Sequence, residues 1–492
     1  MKTYRAYSPE QSYLLPPSPR EWLPEGHLAY FILGLVAELD LGAIERVVQA
    51  KDPRGERPYS PEMMASLLLY AYATGVYSSR RIARACVEDV AFRVLAANAQ
   101  PHFTTINEFR ATHLTALGAL FIQVLQACQS EGLVKLEHVA IDGTKMKANA
   151  SKHKAMSFDR MEKDDARLRA EIQEWFDRAE AVDAEEDALY GAYDPKEEIR
   201  LREERLAKMA RAKEALKKEV AAARAARLRE QAEELRKKAE DMTRTPTKRA
   251  EVATLAKKRD HQASLFDDDE QDPPPPSADA DLPRNVPPHR PDGTPKPKAQ
   301  RNFTDPDSRI MVRDGAFIQA YNAQLAVDEE HQIIVAAAVS NQGPDNEYFE
   351  PMLRRVVENC DAVPETATAD NGYFSAEAVR FAEHIGVEPF ISVGKHRNDG
   401  TQRATLELPQ HRTDAKLQMR ATLETERGRE IYARRKATVE PVIGQIRAPR
   451  RFGQFSFRGL VKNRCEWLLV CLTHNVLKLW RSRRTRPLAL AV

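Results

Sequence analysis

Two short apolar runs constrain this chain more than any other feature. HVAIDGT around Asp142 and TATADNGY around Asp370 each read as a strand that breaks off at a carboxylate followed by a turn signal. Between them, from about Phe158 to Lys258, the composition shifts to Ala, Glu, Lys and Arg with scattered Leu, the make-up of long helix. Its apolar stripe is thin and rich in alanine, which predicts a projecting helical hairpin or coiled coil rather than a second core. A sheet containing both runs therefore has to accommodate a long helical insertion.

At 492 residues the chain is long enough for about three domains or lobes. Hydrophobic residues at 42% and charged residues at 30% place it with globular proteins rather than membrane-spanning or fully disordered chains. The longest late apolar stretch, WLLVCLTHNVLKLW, is too short and too polar to span a bilayer and predicts a buried helix. MKTYRAYSPEQSYLLPPSPREW lacks the apolar run of a secretion signal, so a cytoplasmic location is expected. Five scattered cysteines without a C-x-x-C pair argue for free buried thiols, and Cys471-x-x-His474 is expected in the core rather than on a metal. A net charge of +2 makes no global case for nucleic acid; the local basic runs RAPRR and RSRRTR carry that question instead.

Helical periodicity dominates residues 27–133. Ser78 and Ser79 are candidate caps before RRIARACVEDVAFRVLA, which a turn separates from TTINEFRATH. Such a pair can present Arg80, Arg81 and Arg84 to phosphates as a helix-turn-helix, or be an ordinary bundle with a solvated basic face. After the insertion, QASLFDDDEQDPPPPSADADLPRNVPPHRPDGTPKPKAQ reads as a disordered or extended linker. FIQAYNAQLAVDEEHQIIVAAAVS then predicts a hairpin turning near Asp328 to His331, followed by alternating helices and strands. This order matches a ribonuclease-H-like mixed sheet: an α/β catalytic domain split by a long helical insertion and preceded by an all-α N-terminal domain. The expected boundaries are residues 1–134 for that helical domain and 135–155 with 300–480 for the catalytic domain. The insertion takes 156–260, the linker 261–299 and a basic tail 481–492.

If the two strands are neighbours, their ends bring Asp142 and Asp370 to one rim. Paired carboxylates there suit Mg²⁺, which takes oxygen ligands and is held by one or two carboxylates plus substrate phosphate. The alternative is two well-made turns. Downstream, Arg450, Arg451, Arg458, Lys462 and Arg464 interleave with Phe452, Phe455 and Phe457. The cations suit phosphates, and the phenylalanines either stack on unpaired bases or anchor the strip to the core. Asn149, Asn322 and Gln324 are candidates for orienting the carboxylates or for strand-edge hydrogen bonding.

Taken in order, AIDGTKMKANASKHKAMSFDRM, DGAFIQAYNAQLAVDEEHQIIVAAAVS, TADNGYFS and RRKATVEPVIGQIRAPRRFGQFSFRGLVKN resemble successive blocks of bacterial insertion-sequence DDE transposases. SSRRIARACVEDVAFRVLA and HFTTINEFRATH resemble their N-terminal domain, so the resemblance spans nearly everything outside the insertion and linker. It implies a catalytic, metal-binding triad of Asp142, Asp370 and Glu440, with two Mg²⁺ ions for which Mn²⁺ can substitute. It also implies double-stranded DNA as partner, at element ends and target, a homodimer in the DNA complex and a nucleoid-associated bacterial setting. A nuclease that cuts without joining and an inactive DNA-binding relative are the rival readings. The family's tyrosine, arginine and lysine around the glutamate fall on Ala433, Lys436 and Arg447, so the tyrosine is displaced to Tyr432. Pro441 pushes Glu440 toward a helix start, which weakens Lys436 as a phosphate ligand on the glutamate's face and favours Arg447.

Overall fold

A computed structural model of the chain describes residues 18, 21–50, 57–182, 195–241, 246–264, 266, 282–292, 294–394 and 410–485. The early apolar runs form α1 (Leu28–Glu38), α2 (Gly42–Gln49), α3 (Pro61–Thr74), α4 (Ser79–Glu88), α5 (Val90–Leu95), α6 (Phe103–Thr112) and α7 (Leu114–Ser130). Helix α3 starts at Pro61, whose missing N–H is harmless in a first turn, and is buried from Met64 to Ala73. The run expected as one helix after Ser79 is two. Asp89 has extended backbone and its Oδ1 accepts from the N–H groups of Ala91 and Phe92, which ends α4 and starts α5. Ser78 occupies the cap position of α4 without a side-chain capping bond. Helix α6 packs on α4 after a turn in which Ala97 and Asn98 have positive φ.

The chain continues through β1 (His138–Lys147), β2 (Ala155–Ser157), α8 (Phe158–Val182), α9 (Pro195–Asp241), α10 (Pro246–Ser264), β3 (Gln300–Asn302), β4 (Arg309–Arg313), β5 (Ala316–Asp328) and β6 (Ile334–Ser340). Next come α11 (Phe349–Cys360), β7 (Thr366–Ala369), α12 (Ala376–His384), β8 (Glu388–Ile391), α13 (Gln410–Glu424), α14 (Glu426–Arg447) and α15 (Leu460–Thr485). The main sheet runs β4-β5-β1-β7-β8, with β6 also on β5. It is mixed, because β1 is antiparallel to β5 and parallel to β7. The hairpin between β5 and β6 turns where the alternation places it, whereas β2, β3 and β4 are short strands that the pattern did not reveal.

Asp142-Gly143 is not a turn, which corrects the reading of its sequence signal. Strand β1 runs on to Lys147, with Asp142 opposite Leu325 and Gly143 opposite Gln324. A Cβ on residue 143 would stand 2.4 Å from Gln324 Nε2 and 3.0 Å from the Tyr373 hydroxyl. Glycine is there to admit neighbouring side chains.

Helix α9, 47 residues and roughly 70 Å long at 1.5 Å per residue, packs against α8 and α10. Its contacts are narrow, with Ala225, Ala232, Ala239, Ala256 and Ala263 among the buried residues, and ion pairs such as Lys213–Asp165 at 3.1 Å flank them. Glu219 of α9 pairs with Arg301 and Arg309, tying the helix to β3 and β4. Residues 267–281 of the expected linker lie outside the described residues. Its later part is held: Leu282 is buried and the Asn285 N–H donates to Asn341.

Helix α15 packs on α7, α3 and β6, so it joins the N-terminal helices to the sheet. Its Asn475 amide makes paired bonds with the backbone of Ile334 on β6. All five cysteines are buried thiols outside any disulfide. Cys471 and His474 are buried, with His474 Nε2 donating to the Gln332 carbonyl. Among the described residues no single helix is long and apolar enough to cross a membrane.

Candidate active site

Strands β1 and β7 pair in parallel, with His138 beside Thr366, Val139 beside Ala367 and Ala140 beside Thr368. The offset in that register is 228 residues, the same as the separation of Asp142 from Asp370. The two aspartates therefore each stand two residues past the last pair of this register, close enough for the Asp370 charge to act on Asp142. Asp370 lies just past the end of β7. Its Oδ1 accepts from the Gly372 N–H and caps the 3-10 turn Asn371–Tyr373.

Helix α14 packs over β1, β5, β7 and β8 and supplies Glu440. Glu440 lies well inside the helix, not at its start, which corrects the expectation drawn from Pro441. Proline has no N–H for the carbonyl of Ala437 one turn earlier. The Gln332 side chain fills that acceptor, its Nε2 donating to Ala437 O at 3.0 Å. A partner from the β5–β6 turn thus compensates the proline.

Arg435 stands among the carboxylates. Its Nη1 donates to Asp142 Oδ2 at 2.9 Å, and its Nη2 lies 3.9 Å from Glu440 Oε1. Burial pushes the Asp142 carboxyl above its ordinary value and Asp370 adds to the push, while the Gly143 N–H and Arg435 pull it down. Burial also works against the Arg435 charge, but Asp142, Tyr432 and Asp370 outweigh it and raise the guanidinium above its usual range. Sequence reading missed Arg435. The signal was present: Ile431, Arg435, Thr438, Val439, Val442 and Ile446 form the buried stripe of α14. A charge on such a stripe calls for a partner on the sheet beneath it. Lys436, on the family's arginine position, is exposed.

The donor set Asp142, Asp370 and Glu440 is all oxygen and already attracts a cation, the Arg435 guanidinium. Its chemistry therefore fits a hard divalent ion. The carboxylates are spread around that guanidinium: among the described residues no three His, Cys, Asp or Glu side chains form a compact metal cluster.

Two family comparisons match the chain. Residues 394–480 match the Transposase DDE domain and residues 17–112 the Transposase domain (DUF772). Both matches are to transposase domains, and together they indicate an insertion-sequence DDE transposase. No curated protein and no solved structure matches it. The DDE segment of the transposase contains Arg435, Glu440 and the basic strip, whereas Asp142 and Asp370 lie outside both matched segments. A DDE domain implies a ribonuclease-H-like fold, with which the mixed sheet accords, and such domains generally use divalent metal ions.

The basic residues of the transposase divide by burial. Arg451, Arg458 and Lys462 are exposed and Arg447 is partly so, its Nη2 3.7 Å from Asp314. Arg80, Arg81 and Arg84 are exposed on α4, with Arg80 over the Phe103 ring and Arg84 paired with Glu88. Arg450 is a correction. It is buried, and its donors go to the carbonyls of Tyr72 and Val470 and to the Thr473 hydroxyl. It closes the carbonyl end of α3 against α15 and cannot reach a phosphate. Arg464 is likewise buried, donating to Val339 O. Phe452 and Phe455 are buried and stacked edge-on, and Phe457 lies under Arg110, so these rings anchor the strip. Asn149 donates to Ser456 O. Asn322 and Gln324 both donate to Asp345, a carboxylate that sequence reading passed over.

Proposed function

We propose that the transposase binds the terminal inverted repeats of an insertion sequence, cleaves DNA strands there and joins the freed 3′-hydroxyl ends to target DNA by metal-dependent phosphoryl transfer. The reading rests chiefly on the shared register of Asp142 and Asp370 beneath a helix that presents Arg435 and Glu440. Asp142, Asp370 and Glu440 would hold the Mg²⁺, two ions in the fullest form, with Mn²⁺ as a substitute. When bound, such an ion would supply Lewis-acid activation of the attacking oxygen and charge stabilisation at the leaving oxygen. Arg435 keeps Asp142 oriented and favours its ionised form. Lys436, Arg447, Arg451, Arg458 and Lys462 beside the site, and Arg80, Arg81 and Arg84 on α4, bind DNA phosphates and set the position of the strand.

In this scheme residues 1–134 bind DNA and dimerise, and 135–155 with 300–480 form the catalytic domain around an insertion at 156–260. The protein works as a homodimer on double-stranded DNA in the bacterial cytoplasm. Asp142→Asn, Asp370→Asn and Glu440→Gln should each abolish Mg²⁺-dependent cleavage of an element end while leaving DNA binding measurable. A strand-transfer assay with pre-cut ends separates joining from simple nuclease action. Full cleavage by the Asp370→Asn protein would sink the assignment.

A further inference from the structure

Asp345 lies just before α11 and gathers donors from two strands. Lys145 Nζ stands 2.9 and 3.0 Å from its two oxygens, Asn322 Nδ2 2.7 Å and Gln324 Nε2 2.9 Å from Oδ1. Lys145 faces Asn322 across the β1–β5 ladder, and Gly143 faces Gln324. Alternation therefore puts these groups on the sheet face opposite Asp142.

The network extends to the backbone beside both aspartates. Gln324 crowds Gly143, the residue after Asp142, and its Oε1 accepts from the buried Tyr373 hydroxyl in the turn after Asp370. A Cβ on Gly372 would stand 3.0 Å from Asp370 Oδ1 and 3.5 Å from the Asp345 Cβ, so Asp345 also flanks that turn directly. Two like charges on adjacent strands repel, and Asp370 sits beyond the last hydrogen bond of β7. Something other than the ladder has to hold its turn against β1.

We propose that Asp345 is a positioning residue that, through Gln324 and Tyr373, fixes the spacing of Asp142 and Asp370 and so sets the affinity of the site for its divalent ion. The proposal rests on the metal-dependent reading given above. Partners of this kind behind metal-binding carboxylates typically matter by 10–100-fold in affinity or activity. Lys145 neutralises Asp345, so the brace adds no net charge to the aspartate pair.

The test uses the full-length protein with Asp345→Asn and Tyr373→Phe, the latter removing only a hydroxyl. Two quantities are titrated with MgCl₂: cleavage of an element-end duplex, and the rise in Tm without DNA. Both variants should need about 10–100-fold more Mg²⁺ for either response, with cleavage compared at temperatures well below each protein's own Tm in chelator. Wild-type Mg²⁺ dependence in both variants overturns the proposal, as does a loss that only follows a lower Tm in chelator. If Asp345→Asn does not fold, Tyr373→Phe decides alone. If the wild-type protein shows no Mg²⁺ response at all, the underlying reading fails first and the brace with it; if only the variants are unaffected, the brace alone fails.

Discussion

Arg435 reaches from the buried stripe of α14 to Asp142 in the middle of β1, at 2.9 Å. That bond ties the helix bearing Glu440 to the strand bearing the first aspartate. Both partners are largely shielded from water, with side-chain exposures of 10% and 17%. Neither charge is well solvated without the other.

Replacing Arg435 with Gln should shift the acid limb of activity. Burial already holds the Asp142 carboxyl above its ordinary value, and the Arg435 charge is one of the influences lowering it. Without that charge Asp142 titrates higher still, so Mg²⁺-dependent cleavage should be lost at a higher pH as the solution is acidified. Rate against pH for Arg435→Gln and wild type reads the shift directly; an unmoved limb contradicts the role given to Arg435. Folding stability should fall by about 3 kcal/mol, because one partner of a shielded pair is left alone.

Gln332 and Pro441 should be energetically coupled. The amide of Gln332 occupies the Ala437 carbonyl that Pro441 leaves without a helical donor. Gln332→Leu should destabilise the protein by about 0.5–1.5 kcal/mol. In a Pro441→Ala background the helix supplies its own N–H, so the same change should cost less. A double-mutant cycle by urea unfolding should give a coupling of about 0.5–1.5 kcal/mol; strict additivity argues against the compensation.

Neighbouring arginines of the basic strip should behave in opposite ways. Arg450→Met strips donors from the carbonyls of Tyr72 and Val470 and should lower stability by about 2–4 kcal/mol without altering the salt dependence of DNA binding. Arg451→Gln and Lys462→Gln, at exposed positions, should leave Tm nearly unchanged and each reduce the slope of log affinity against log salt by about one. Binding isotherms at several salt concentrations, with thermal melts alongside, separate the two classes.

The helices before residue 131, the Ala-rich insertion, the β5–β6 hairpin and the buried character of α15 were legible because each follows from local periodicity. Asp142 and Asp370 stood out because similar apolar runs precede both. Their shared register was not legible, since the pairing of β1 with β7 spans the whole insertion. Local signals also misled where a long-range partner intervened: Asp142-Gly143 resembles a turn until Gln324 and Tyr373 are seen to need the glycine's space. Pro441 resembles a helix start until Gln332 is seen to replace its missing donor.

By itself the sequence determined most of the helices, the β5–β6 hairpin and the apolar strands before the two aspartates, and which residue types are available for oxygen-ligand and phosphate chemistry, because periodicity and composition act over a few residues. Tertiary structure alone decided that Arg435 meets Asp142, that Arg450 is a packing residue, and that Asp345 stands behind the aspartate pair. Burial and hydrogen-bond partners are set by chain segments far apart in sequence, and a charge acquires its role from what it is buried against.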